Sequence, residues 1–182
     1  LVSRGFDGLG STVAPGDVPD SVFTSLIVQA QWVRLIGANA QFIARGDVQR
    51  AYDPLTGSEK YSLGGLDSVR GYRKDALVRD SGRFVSAELR YLIGRWPLIK
   101  GPMGGEGPVR LAAFFDYGQV WDYGASDRKR ALSSAGPGLR WEPLRGSELA
   151  LYYGVQLRDL DTPTKALSDR GVNVRLTLSY AF

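Results

Sequence analysis

The chain has 182 residues, with 23 glycines, four Trp, nine Tyr and seven Phe. Its 23 basic and 19 acidic residues leave a formal charge of +4, and it has neither cysteine nor histidine. Without those two residue types there is no Ser-His or Cys-His nucleophile, no thiolate chemistry and no zinc or haem held by them. No metal or cofactor is therefore expected, and a hydrolase of the usual kind is disfavoured. The length allows one domain with a sizeable core. A glycine- and aromatic-rich composition suits strands and turns better than helices. Basic residues are scattered among acidic ones, and the run Arg128-Lys129-Arg130 in an apparent loop reads as a solvated tip, so no nucleic-acid partner is expected. No stretch reaches about 18 consecutive apolar residues, which excludes a membrane-spanning helix but not the membrane. The opening lacks a signal-peptide pattern and a methionine, as a mature product or part of a longer chain would.

Taken in order, residues 1–6 look like the end of a strand and 7–20 a Gly/Pro/Asp loop. Alternation of Leu26, Val28, Ala30 and Trp32 against Ser25, Gln29 and Gln31 predicts a strand from Phe23 to about Ile36. Gly37-Ala38-Asn39 is a hairpin turn, and the next strand runs from about Gln41 to Tyr52. A long loop, 53–81, follows. Strands are then predicted over 83–95, 109–121, 131–143, 149–157 and 172–182, with a kink at Gly136-Pro137-Gly138. The chain thus reads as all-β and antiparallel, with eight strands and no helix.

Alternation alone fits a soluble sandwich or lipocalin-like barrel as well as a membrane barrel. Three features favour the membrane. The strands run about 10 to 14 residues, where soluble strands average about 5 to 6 and tilted transmembrane ones need about 9 to 11. Trp32, Trp121, Trp141 and Phe182 sit near strand ends, as interfacial girdles do. Connections alternate between long (7–20, 53–81, 122–130, 160–169) and short, with 96–107 breaking the rule. An outer-membrane barrel has this asymmetry, with its long loops outside.

Within the loop 53–81, Gly64, Gly65 and Gly71 permit tight backbone geometry around Arg70, so the guanidinium can reach away from its own loop. Such a group invites a carboxylate. The best candidate is Asp116 in Phe115-Asp116-Tyr117-Gly118, where Asp116 points away from the apolar side of its strand and Gly118 leaves room beside it. The bland alternative is a surface turn with a solvated arginine.

Val69-Arg70-Gly71-Tyr72 after Leu63-Gly64-Gly65 resembles the sixth-extracellular-loop signature of the outer-membrane assembly and two-partner secretion superfamily. Phe115-Asp116-Tyr117-Gly118 is similar to its partner motif, and Leu178-Ser179-Tyr180-Ala181-Phe182 to the terminal strand signal, carried by Leu178, Tyr180 and Phe182. Ser3-Arg4-Gly5-Phe6-Asp7-Gly8-Leu9-Gly10 and Gly136-Pro137-Gly138-Leu139-Arg140-Trp141 look most like the haemolysin-activator transporters of two-partner secretion. The resemblance implies a loop folded into the lumen, with Arg70 paired to Asp116 as a latch. Glu88 shares the lumen face of the intervening strand and either contributes or is an ordinary hydrated carboxylate. It also implies no chemical step, a Gram-negative outer membrane, insertion by the barrel-assembly machinery and an exported partner polypeptide.

Family members have sixteen strands and periplasmic POTRA domains, and this chain is expected to carry only the C-terminal half of the barrel and no POTRA domain. An eight-stranded barrel closed on itself has no interior room for the loop. The chain is then half of a larger barrel, within a longer transporter or completed by a second copy of itself. Alternatives are an insertase of the same superfamily and a closed pore-forming barrel that moves no polypeptide. An enzyme reading survives only through paired carboxylates such as Glu88 and Asp116.

Overall fold

The structure, a computed structural model, describes residues 22–99, 106–158 and 171–178. Within them all regular elements are strands: β1 (Ser25–Ile36), β2 (Ala40–Ala51), β3 (Tyr61–Leu63), β4 (Leu77–Arg79), β5 (Ser81–Arg95), β6 (Pro108–Asp122), β7 (Ala125–Trp141), β8 (Ser147–Tyr153), β9 (Val155–Gln156) and β10 (Val172–Leu178). One antiparallel sheet runs β1-β2-β5-β6-β7-β8-β10, and the short β9 continues the pairing with β7 beyond the end of β8. The predicted strand 1–6, the loops 7–20 and 160–169, and Tyr180 and Phe182 lie outside the described residues.

The period-two pattern sorts side chains onto two unlike faces. On β5 and β6, Phe84, Ser86, Glu88, Ala112, Phe114 and Asp116 are buried, whereas Val85, Leu89, Leu111 and Phe115 are exposed. The same exposed apolar surface continues over Leu151 and Leu176. A soluble sheet buries its apolar face and wets the polar one. Here the polarity is reversed.

What covers the polar face is the chain between β2 and β5. Expected to be irregular throughout, it contains a small sheet, in which β3 pairs with β4 from Tyr61↔Arg79 to Leu63↔Leu77. Its Leu63, Val69, Tyr72 and Leu77 join Phe84, Val120 and Leu132 of the wall in one apolar cluster. Two wall glycines accept this cover. A Cβ on Gly82 would stand 2.0 Å from the Tyr61 ring, and one on Gly118 would stand 2.3 Å from Leu63 Cδ1. Gly118 therefore makes room for Leu63 of the loop, not only for its neighbour Asp116.

Two further expectations are corrected. Residues 122–130 are not a long loop. β6 and β7 extend to a tight turn at Tyr123-Gly124, where Gly124 takes φ +72°, and Asp122 pairs with Ala125. Arg128-Lys129-Arg130 accordingly lies on strand β7, with Arg130 exposed. Across Gly136-Pro137-Gly138, where a kink is expected, β7 is continuous while its ladder on one side is interrupted. The β7 ladder to β8 runs from Trp141 to Gly138 and resumes in β9 at Ala135, leaving Gly136-Pro137 and Tyr153-Gly154 unpaired in between. Proline has no N–H to donate.

β1 and β10 end the sheet, and neither pairs with the other among the described residues. Loop residues reach both flanks: the Tyr61 hydroxyl bonds to Asp47 of β2, and Asp67 pairs with Arg175 of β10. The described sheet is thus curled around the loop, with β1 and β10 at its two ends. An eight-stranded barrel closed over its own side chains would leave no space for that loop.

Candidate functional site

The loop descends from β3 through Gly64 and Gly65, at φ +114° and +96°, and turns at Gly71, at φ +88°. L-residues avoid these values. The Gly64 N–H donates to Ser68 Oγ at 2.8 Å, tightening the descent. Val69 and Tyr72 bury their side chains in the apolar cluster on either side of Arg70. Arg70 is thereby aimed at the sheet.

Arg70 is 2% exposed, and Asp116, midway along β6, is fully buried. The guanidinium grips that carboxylate with two parallel bonds, Nε to Oδ2 at 2.7 Å and Nη2 to Oδ1 at 2.8 Å. Its own backbone N–H adds a third at 3.1 Å. Nη1 donates to Glu88 on β5. Ser86 bridges the set, accepting from Nη2 at 3.1 Å and donating to Asp116 Oδ1 at 2.6 Å. Glu88 is itself held by Arg90 Nε at 2.5 Å and the Tyr152 hydroxyl at 3.0 Å. Burial opposes the charge on Arg70, and the bonds to Asp116 and Glu88 outweigh it, leaving its pKa above the ordinary value.

Two aromatic rings complete the cage. The guanidinium carbon lies 3.8 Å from the Phe114 ring centre and 4.7 Å from that of Tyr152, while the rings meet edge to face at 5.7 Å. A planar cation suits both the fork and the stacking, and lysine would supply neither.

The structure brings Arg70, Asp116 and Glu88 together and sets Gly64, Gly65, Val69, Gly71 and Tyr72 around them. Phe115 faces outward, 46% exposed, and Gly118 lies under Leu63. Leu178 closes the β10 ladder opposite Ser147, away from this cluster in sequence and pairing. Sequence reasoning missed Ser86, Phe114 and Tyr152. The doublets Phe114-Phe115 and Tyr152-Tyr153 were the available signal, because adjacent aromatics on a strand place one ring on each face.

A second anchor, also missed, lies where β4 meets β5. The Asp80 carboxylate accepts from Leu55 N at 3.2 Å and Tyr123 N at 2.9 Å and pairs with Lys60 at 3.1 Å. Burial alone would raise its pKa. The Tyr123, Lys60 and Leu55 donors outweigh burial and hold it below the usual carboxylate value. At the same end, burial and the bond to Asp47 push the Tyr61 phenol up.

Both acids of the cluster are ion-paired with Arg70. Among the described residues no group of acids, histidines or cysteines is placed to hold a metal ion. The site is a buried ion cluster that joins the loop to the sheet.

The model of the haemolysin secretion/activation protein family, ShlB/FhaC/HecB, matches residues 1–141. The outer membrane transporter CdiB of Escherichia coli is 30% identical over 112 residues, covering 62% of this chain and 18% of that protein. CdiB of a second Escherichia coli strain is 29% identical over 119 residues, covering 65% and 18%. The chain thus spans less than a fifth of the length of these curated relatives. Among solved structures, CdiB from Escherichia coli superposes with a TM-score of 0.70 at 23% identity, over 91% of this chain and 29% of that one. CdiB from Acinetobacter baumannii gives 0.59 at 21% identity, over 87% and 27%. These likenesses agree with the all-β sheet, and the family match spans both the loop and its partner strand: the chain belongs to the haemolysin secretion/activation protein family, ShlB/FhaC/HecB.

Proposed function

We propose that this chain forms the C-terminal part of an outer-membrane barrel that passes a partner polypeptide across the membrane in two-partner secretion, and that the loop 64–76 is the latch on its lumen. The observation carrying this reading is the Arg70 cage, a buried ion cluster joining a loop to the polar face of a sheet whose apolar face is exposed. Strands of 12 to 17 residues, β1, β2, β5, β6 and β7, are long enough to cross the bilayer. The exposed apolar face then meets lipid. Trp96 and Trp141 at one end of the sheet, joined by a 2.8 Å bond from the Trp141 indole to the Trp96 carbonyl, and Trp121 at the other suit the two interfaces.

Open sheet edges in lipid strand backbone donors and acceptors at several kcal/mol each. The sheet therefore continues beyond β1 and β10, in further strands of a longer chain or in a second copy. A single domain carries the whole described region. Leu178, Tyr180 and Phe182 are the signal by which the assembly machinery recognises the last strand, and the protein resides in the outer membrane of a Gram-negative bacterium. Transport makes and breaks no covalent bond. Polypeptide passage requires the loop to leave the wall, so Arg70 must exchange Asp116 and Glu88 for water or for groups on the passing chain.

The test is secretion of a co-expressed partner polypeptide by cells carrying the full-length protein, wild type or Arg70→Ala, with heat-modifiability of the barrel measured in parallel. The reading expects at least a tenfold change in secretion at an unchanged level of folded barrel. Unchanged secretion would remove Arg70 from the mechanism. A fall in other outer-membrane proteins with secretion intact would point to an insertase instead.

A further inference from the structure

The tip of the loop touches the wall a second time, one residue beyond Arg70. The Gly71 N–H donates to Asn173 Oδ1 on β10 at 2.7 Å, and its carbonyl accepts from Gln156 Nε2 on β9 at 2.6 Å. The two backbone polar groups of one residue are thus each held by a side chain, from two different strands. Asn173 is buried on the inner face of β10, and two residues further on Arg175 pairs with Asp67 of the same loop.

The wall is shaped to receive this tip. It docks where the β7 ladder is interrupted between β8 and β9, at Gly154. A Cβ on Gly71 would lie 2.5 Å from the Gly154 carbonyl oxygen, one on Gly154 would lie 2.8 Å from Gly71 Cα, and one on Gly171 would lie 2.4 Å from the Gly154 oxygen. Gly154 N–H in turn bonds to Gly171 O at 2.6 Å. Three glycines let loop, wall and the start of β10 meet backbone to backbone. Substituents there would strike main-chain atoms, which cannot swing aside.

Among the described residues β10 is joined to the sheet on one side, through its pairing with β8. The loop supplies its other support, from inside. We propose that Asn173 is a positioning residue that couples the loop to β10, so that release of the latch loosens this terminal strand in the same step. The inference rests on the latch reading. It adds that an open loop and a weakened β10 seam are one state.

Hydrogen exchange of the full-length protein in detergent, read on peptides covering 64–76 and 171–178, tests it, with β5 and β6 as the control for an intact sheet. Arg70 hydrogen-bonds to β5 and β6 side chains but also stacks on Tyr152 of β8, the register partner of Asn173, so the Asn173 variants, which leave that stack in place, separate coupling through the loop from coupling through the wall. Expected of Arg70→Ala is faster exchange in both peptides together. Asn173→Ala should speed both by about five- to tenfold, the size of one lost buried hydrogen bond, and Asn173→Asp, which keeps an acceptor oxygen, should restore both. A loop freed by Arg70→Ala over an unchanged β10 would overturn the coupling and leave the latch standing. So would an Asn173→Ala effect confined to one peptide. If Arg70→Ala leaves the loop protected, the latch fails, and the two Asn173 variants still decide the coupling.

Discussion

Removing Asp116 is the sharpest perturbation of the Arg70 cage. Asp116→Ala deletes both arms of the bidentate grip and the bond to the Arg70 N–H, and leaves the Ser86 hydroxyl without its acceptor. Glu88 remains, but it faces only Nη1 and is shared with Arg90. A buried cation robbed of its main partner costs about 3 to 5 kcal/mol. At about 1.4 kcal/mol per decade, the docked loop loses a factor of roughly 10² to 10⁴ against the undocked one. The sequence has no cysteine, so Val69→Cys provides a single reporter thiol at a fully buried position. Its maleimide labelling rate, in the full-length protein, follows the fraction of time the loop is open. Labelling should accelerate by two decades or more in Asp116→Ala. The double variant Arg70→Ala, Asp116→Ala should label more slowly than the sum of the two single effects predicts, because each single change strands a charge that the double removes. Labelling within twofold of the parent would mean that the apolar cluster alone holds the loop, refuting the lock.

Glycine packing and the second anchor give two further tests. Gly118→Ala places a methyl 2.3 Å from Leu63 Cδ1 and should raise the same labelling rate about tenfold, at roughly 1 to 3 kcal/mol for overpacking, with Leu63→Ala in the same chain recovering part of the loss. Recovery failing in the double variant would show that the two side chains do not compete for that space. Asp80 has a folded pKa below its unfolded value of about 3.9, so its stabilisation is present above that pH and disappears as pH falls through the lower folded pKa. Amide protection of 55–60, corrected for intrinsic exchange, should therefore hold from neutral pH to about pH 4 and drop below it. Asp80→Ala should lack that protection at neutral pH and show no acid step. An identical profile in both proteins would remove Asp80 from the anchor.

Strand alternation was legible because it is local: a side chain's face follows from its parity, and parity is written in the chain. So were the long strands β1, β2, β5 and β6 and the later part of β7, the position of Arg70 between glycines, and Asp116 as an interruption of an apolar run. The errors arose where a partner far along the chain decides the outcome. Residues 122–130 have loop composition yet extend two strands, since pairing across the Tyr123-Gly124 turn outweighs weak local preference. β3 and β4 are three residues each, too short to show a period, and exist because the loop packs on the wall.

The same division applies to the site. By itself the sequence determined an all-β chain with two unlike faces, excluded Ser-His and Cys-His nucleophiles and His- or Cys-ligated metals, and marked a glycine-hinged arginine and a carboxylate as partners. Only the tertiary structure decided that Glu88, Ser86, Phe114 and Tyr152 close around that arginine, that Gly82 and Gly118 are footprints of loop side chains, and that Gly71 meets Gly154 and Asn173. Backbone conformation is encoded over a few neighbouring residues. Which groups share a buried volume depends on register and curl accumulated over the whole sheet, and a contact such as Gly71 to Asn173, 102 residues apart, leaves no local trace.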